Sequence, residues 1–223
     1  MRVVFVHGAF VRDGGWWWRR MTGPLTERGL ASTAVVLPSC ENEPRGDLHD
    51  DAAAVRAVLD ASDEPVVLCG HSYGGMVITE AAAGHPAVRR LVYITSFLPR
   101  TDEALADFGD GAPAPWQVPH DDGTIGVRAD LVRPLFAHDF DDVTFAAAAE
   151  RLTNQRAAVF GQRPAAAAWQ EIPSTYVVCA GDRATPPALQ RAQAARATKM
   201  VELPTPHHPF VTRPDLLAAV LAS

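Results

Sequence analysis

Lysine is almost missing from this chain: among 223 residues it occurs once, at Lys199, and arginine carries the rest of the positive charge. The formal net charge is -6, so no electrostatic footprint suggests nucleic-acid binding. Cysteine is also scarce. Cys40, Cys69 and Cys179 cannot all pair, show no C-x-x-C spacing, and two of them fall in apolar strand-like runs, which argues against a disulfide or a zinc site. No apolar run approaches 18 residues, and Met1 is followed almost at once by Val3-Val4-Phe5-Val6 rather than by a charged and then a long apolar segment. A cytoplasmic protein without a membrane partner is expected.

What the chain does have is an alternation of short β-branched runs with longer helix-compatible segments. The runs are Val3–Val6, Thr33–Leu37, Val66–Cys69, Leu91–Thr95, Tyr176–Ala180 and Met200–Leu203. Their near-continuous apolar character suits strands covered on both faces, and predicts an α/β fold with a mainly parallel, doubly wound sheet of about six strands. Helices are expected at about Trp16–Arg28, Leu48–Asp60, Gly75–Ala83, Ala188–Ala197 and Pro214–Leu221. The rhythm breaks between Ser96 and Ser174. That stretch shows helical patches, including Val143–Leu152, but no convincing strand. It reads as a small helical cap at about 97–173, inserted after the fifth strand of a single domain spanning 1–223. Its aromatic residues can wall a pocket.

The most informative segment is Gly70-His71-Ser72-Tyr73-Gly74-Gly75, lying between the run Val66–Cys69 and a helical stretch. Strand, G-x-S-x-G and helix together are the signature of a nucleophile held on a sharp turn. Glycines flank the serine because the turn leaves no room for side chains there. The start of the following helix favours an oxyanion beside Ser72.

A serine hydroxyl needs a base, and the base needs an orienting acid. Asp182 follows the run Tyr176–Ala180, and His207 and His208 follow Met200–Leu203. The order serine, acid, histidine is the one required of this arrangement. Asp102 and Glu103 are reserve candidates for the acid. Two backbone donors are expected for an oxyanion: Tyr73 N–H, directly after Ser72, and Ala9 N–H in the loop His7-Gly8-Ala9-Phe10. His7 is expected to fix that loop by hydrogen bonding and His71 to point away from Ser72. His49, His85, His120 and His138 read as surface or cap residues. No histidine pair has metal-ligand spacing with a supporting carboxylate, so no metal and no cofactor is expected.

These motifs resemble the α/β-hydrolase branch that contains plant methyl-ester esterases, hydroxynitrile lyases and small bacterial esterases. The resemblance runs from Phe5-Val6-His7-Gly8-Ala9 through Gly14-Gly15-Trp16-Trp17-Trp18, the Ser72 turn and Asp182-Arg183-Ala184-Thr185-Pro186, and ends at His207-His208-Pro209-Phe210. It implies an α/β-hydrolase fold and sets the catalytic histidine at His207, with His208 on a variable position. The lyase branch resembles a pattern with threonine, glutamate and lysine where this chain has Gly8, His71 and His208. The resemblance therefore implies a serine esterase with catalytic Ser72, Asp182 and His207, acting on a small, largely apolar ester, thioester or lactone. Gly8, Phe10, Trp116, Phe136 and His208 are the expected substrate contacts. The alternatives are a lyase using the same three residues as a proton relay, and a receptor-like protein that binds a small molecule and hydrolyses slowly. A homodimer is allowed but not required.

Overall fold

The computed structural model describes residues 1–109 and 114–223. The six strands read from the sequence are all present: β1 (Arg2–Val6), β2 (Ala31–Val35), β3 (Val66–His71) and β4 (Val88–Ile94) precede the insertion, and two more follow it. Helices α1 (Gly14–Trp18) and α2 (Thr22–Thr26), joined by a 3-10 turn, replace the single helix expected over Trp16–Arg28. Pro24, in the first turn of α2, has no N–H to give the Arg20 carbonyl and crowds it, which interrupts a continuous helix across Arg19–Met21. Helix α3 (Leu48–Asp60) has the predicted bounds, and its start is set by a capping box in which the Asp47 side chain accepts from Asp50 N–H and Asp50 accepts from Asp47 N–H. Helix α4 (Gly74–Ala81) leaves the Ser72 turn.

The insertion contains β5 (Gln117–Pro119), β6 (Thr124–Val127), α5 (Ala129–Phe136), α6 (Asp142–Ala149), β7 (Gln155–Arg156) and α7 (Ala158–Gly161). Two expectations are corrected here. The insertion follows the fourth strand, not the fifth, because only β1–β4 precede it in the chain. It is also not purely helical: β5, β6 and β7 form a small antiparallel sheet. Strands of two to four residues are too short to produce a readable alternation. Of the expected cap, residues 110–113 lie outside the described residues.

The core then resumes with β8 (Ser174–Cys179), α8 (Pro187–Ala194), β9 (Lys199–Leu203), α9 (Pro209–Thr212) and α10 (Pro214–Ala222). The main sheet has the order β2-β1-β3-β4-β8-β9, parallel throughout. Two apolar clusters cover its faces. One holds Leu68, Tyr93 and Tyr176 with α3 and α4, and the other holds Phe5, Cys69 and Val177 with Trp18 and α10. Strand order reverses direction between β1 and β3, and ligands of such sheets bind beyond the carboxyl ends of the strands at that point. The Gly8 loop and Ser72 sit there. Among the described residues no helix is long and apolar enough to cross a membrane.

Beneath this crevice lies a buried carboxyl, Asp51 of α3, which accepts from Ser39 N–H, Ser39 Oγ–H and, at 2.6 Å, Tyr73 O–H. Burial pushes it up to about 6, against the opposing pull of Ser39 and Tyr73. A carboxyl raised above its unfolded value makes its stability contribution in full only below that unfolded value, near pH 4, and loses it as pH rises through about 6. The stability difference between wild type and Asp51→Asn should therefore shift by about 2 kcal/mol against wild type between pH 4.5 and 7.5. Urea unfolding of both proteins at the two pH values measures it; a pH-independent difference would show that Asp51 does not titrate in this way.

Candidate active site

The turn after β3 is held by close backbone contact. Ser72 takes a left-handed conformation, φ 51°. Its N–H donates to Ile94 O at 3.1 Å, and its carbonyl accepts from Gly75 N–H and Ser96 Oγ–H. A Cβ on Gly74 would stand 2.6 Å from Val6 O, and one on Gly70 would stand 2.7 Å from Gly74 O. Glycine on both sides of the turn is thus a steric requirement, as the sequence pattern implied, and a non-glycine residue at positive φ is held only because the surroundings fix it. On the opposite side, a Cβ on Gly8 would stand 3.1 Å from Ser72 Cβ. A side chain there would force the serine or His71 to shift, so glycine lets the first loop pass this close without displacement.

Asp182 follows β8 and is nearly fully buried. Oδ1 accepts from Ala184 N–H and Thr185 N–H, while Oδ2 accepts from Thr95 Oγ1–H, Gln190 Nε2–H and, at 2.7 Å, His207 Nδ1–H. Burial alone would raise this carboxyl, but His207 and the ring of donors hold it below its ordinary value. It is therefore ionised and fully hydrogen-bonded. The reserve acids lie elsewhere: Glu103 pairs with Arg196, and Asp102 is exposed.

The two adjacent histidines have different partners. His207 Nδ1–H is committed to Asp182, whereas His208 Nδ1–H donates to Phe136 O at 2.8 Å and the His208 ring stacks on Trp17. His71 points away from the serine along its own bond, Nε2–H to His207 O at 2.9 Å. His7 Nδ1–H donates to Gly8 O and its Nε2 accepts from Leu37 N–H, so it pins the Gly8 loop from behind. Of the histidines expected at the surface or in the cap, His85 is instead buried against Asp60.

Ring nitrogens of His71, His207 and His208 lie within 4.8 Å of one another, a grouping that could hold a metal ion. His71 comes from a different strand end, 136 residues from His207, so linear spacing could not show it. Each ring already commits one N–H to a carbonyl or carboxylate.

Ser72, His207 and His208 line one cavity of about 790 Å³, within the usual range for small-molecule sites. Gly8, Ala9, Phe10, Tyr73, Trp116 and Phe136 line it as well. Of the other cap aromatics, Phe97, Phe108, Phe145 and Phe160 reach it, while Phe140 and Trp169 do not. Among the described residues no acceptor takes the N–H of Ala9 or of Tyr73. Sequence reasoning missed Trp17, Thr185 and Leu189, which also line the cavity. The Trp16-Trp17-Trp18 run was a signal for the first, and Asp182-Arg183-Ala184-Thr185 for the second.

Burial makes three of these histidines poor bases. It lowers His208 to about 3 and His7 to about 4, and lowers His71 well below its ordinary value. A base with a lowered folded value makes its full stability contribution above the unfolded value near 6.5 and loses it as pH falls. His7 and His208 should show no imidazole titration by NMR between pH 8 and 5. His208→Gln should remove about 2 kcal/mol of the stability lost by wild type between pH 7.5 and 5, and an unchanged acid profile would mean that His208 charges freely in the fold.

Comparison with known proteins agrees with this architecture. The alpha/beta hydrolase family matches residues 3–220. An alpha/beta hydrolase of Aspergillus novofumigatus, nvfD, is 29% identical over 98% of this chain and 94% of its own length. A pyrethroid hydrolase of Sphingobium wenxiniae is 28% identical over 99% of this chain and 86% of its own. The crystal structure of a pyrethroid hydrolase from Sphingobium faniae superimposes with a TM-score of 0.85 at 25% identity, covering 100% of this chain and 96% of that one. With the parallel sheet, the serine turn and the strand-end acid and histidine all in place, the chain belongs to the α/β-hydrolase family.

Proposed function

We propose that this protein is a serine carboxylic-ester hydrolase working through an acyl-enzyme on a small, largely apolar ester, thioester or lactone. The observation that carries the reading is the 2.7 Å bond from His207 Nδ1–H to a buried, ionised Asp182, in the cavity that Ser72 also lines. That bond leaves His207 Nε2 unprotonated and able to accept a proton. His208 has no such carboxylate, and its low basicity makes it a cavity wall rather than a second base. The named hydrolases among the relatives support the same class.

In this reading Ser72 Oγ gives its proton to His207 Nε2 and bonds to the acyl carbon. The carbonyl oxygen becomes an oxyanion facing Ala9 N–H and Tyr73 N–H. As the tetrahedral centre collapses, the bond to the leaving alcohol breaks, and the alcohol takes the proton from His207. Water then loses a proton to His207 and attacks the acyl carbon; Ser72 leaves with that proton, and the carboxylic acid is released. Asp182 holds the tautomer and stabilises the transient imidazolium. No step calls for a cofactor or a metal, and besides water the reaction needs only the small-molecule substrate. The aromatic and apolar cavity wall, with Phe10, Trp116 and Phe136, suits an uncharged acyl or alkyl group.

Hydrolysis of p-nitrophenyl acetate and butyrate should fall by about 10⁴-fold or more in Ser72→Ala and in His207→Ala, with an acyl adduct on Ser72 trapped by intact mass in wild type. His208→Gln, which keeps a donor for Phe136 O, should retain activity within about tenfold at pH 7.5. Folded wild type with neither turnover nor adduct would move the site to the lyase or receptor reading. Turnover that depends on His208 rather than His207 would overturn the assignment of the base.

A further inference from the structure

The two expected oxyanion donors lie on different loops, yet one buried chain of hydrogen bonds joins their supports. On one side, Phe10, the residue after Ala9, sits at φ 64°, a left-handed conformation that a phenylalanine rarely adopts. Both its backbone groups are held by the cap: Phe10 N–H donates to Gln155 Oε1 at 3.2 Å, and Phe10 O accepts from Thr153 N–H at 2.9 Å. The next residues continue the clasp through the Val11–Leu152 bridge and the bond from Arg12 N–H to Arg151 O. From there Gln155 Nε2–H donates to Ser39 Oγ at 2.6 Å, Ser39 Oγ–H donates to Asp51 Oδ2, and the same oxygen accepts from Tyr73 O–H at 2.6 Å. Tyr73 carries the second donor on its backbone. Gln155, Ser39, Asp51 and Tyr73 are all buried, and the first three show no exposure at all.

From this chain we infer that Gln155 of the cap is a positioning residue for the oxyanion hole, setting the Ala9 side directly through Phe10 and the Tyr73 side through Ser39 and Asp51. The inference rests on the hydrolase reading above. The physical argument is that a strained backbone persists only where its surroundings fix it, and Gln155 supplies one of the two bonds that fix Phe10. Its amide serves both ends of the network: the oxygen accepts from Phe10 N–H, and the NH₂ donates to Ser39. An isosteric apolar side chain can do neither. Buried donors and acceptors in such a network depend on one another for satisfaction, so loosening one bond releases the rest. The cap therefore shapes the electrostatics of the reacting centre as well as the wall of the cavity.

The test compares wild type, Gln155→Met and Tyr73→Phe, each checked for folding by circular dichroism and thermal unfolding. Tyr73→Phe keeps the backbone donor, removes only the hydroxyl, and carries the test if Gln155→Met does not fold. Three quantities are read: kcat/KM for p-nitrophenyl butyrate, inhibition by an alkyl trifluoromethyl ketone that forms a hemiketal oxyanion on Ser72, and inhibition by neutral 4-nitroanisole, which forms none. In the folded variants, kcat/KM and ketone affinity should fall together by about tenfold or more, with 4-nitroanisole affinity unchanged within about twofold. Unchanged ketone affinity, or equal losses for the ketone and 4-nitroanisole, would overturn the inference and leave Gln155 a structural residue only. Wild type without Ser72-dependent turnover would overturn the hydrolase reading, and this inference with it; active wild type matched by both folded variants overturns this inference alone.

Discussion

The site depends first on how closely the turn after β3 presses against β1. Gly74 packs its Cα on the carbonyls of Val6 and His7, at a distance where any side chain would collide. That contact brings the ends of two neighbouring parallel strands together at the place where the sheet reverses its winding. Ser72 is thrust beyond the strand ends in a left-handed conformation, and Gly8 passes beside it without a side chain. A residue with a Cβ at Gly74 would push β1 and the helix apart, and with them the Gly8 loop and the Ser72 turn. Other parts of the site can then be brought to this fixed position by loops, as Asp182 and His207 are from β8 and β9.

The second constraint is electrical. The cavity floor holds four histidines, and burial keeps three of them neutral. A carboxylate reaches only His207, which makes it the one imidazole of the group with an ionic partner for a developing positive charge. Charge stabilisation is thereby concentrated at a single ring although the sequence places another directly beside it. His71 tethers the His207 backbone through its Nε2–H, and burial lowers the basicity of its own ring. Asp182 stays ionised despite burial because backbone and side-chain donors surround both its oxygens, which is the condition under which a buried carboxylate is tolerated.

The parts legible in the sequence were those written in short-range pattern. Continuous apolar runs located all six core strands, and the helix-compatible stretch Leu48–Asp60 located α3. Gly70, Ser72 and Gly74 described the turn because a steric demand on adjacent residues leaves a local signature. The strand-end positions of Asp182 and His207 could likewise be read from the strands before them. What remained hidden depends on contacts between distant segments. The sheet formed by β5, β6 and β7 is built from strands too short to display a period, so the insertion read as helical. Gln155 sits in Leu152-Thr153-Asn154-Gln155-Arg156, a polar stretch that looks like a surface turn, and only the fold shows it sealed against Phe10 and Ser39. Asp51, within a helix carrying several acidic residues, gave no sign that it alone turns inward. Buried polar residues on amphipathic elements are the positions where composition misleads, because their partners are far away in the chain.

This distinction bears on how a cap can vary. If a cap touched only the outer wall of the cavity, its aromatic residues could be exchanged with little consequence beyond size and shape. Here Arg151, Thr153 and Gln155 are bonded to Arg12 and Phe10, and Leu152 is bridged to Val11 between them, so this segment is part of the support of the first loop. Trp116 and Phe136 have no such role: they pack edge-on against each other within the cap, and Trp116 meets Phe10 through its ring alone. The two sets face different demands. Ring positions can change volume at the cost of contact area, while a change at Gln155 also leaves the N–H of a strained residue, Phe10, without its partner. In the esterase proposed above, the freedom to select a substrate therefore lies with the rings, and the geometry of the oxyanion site lies with the clasp.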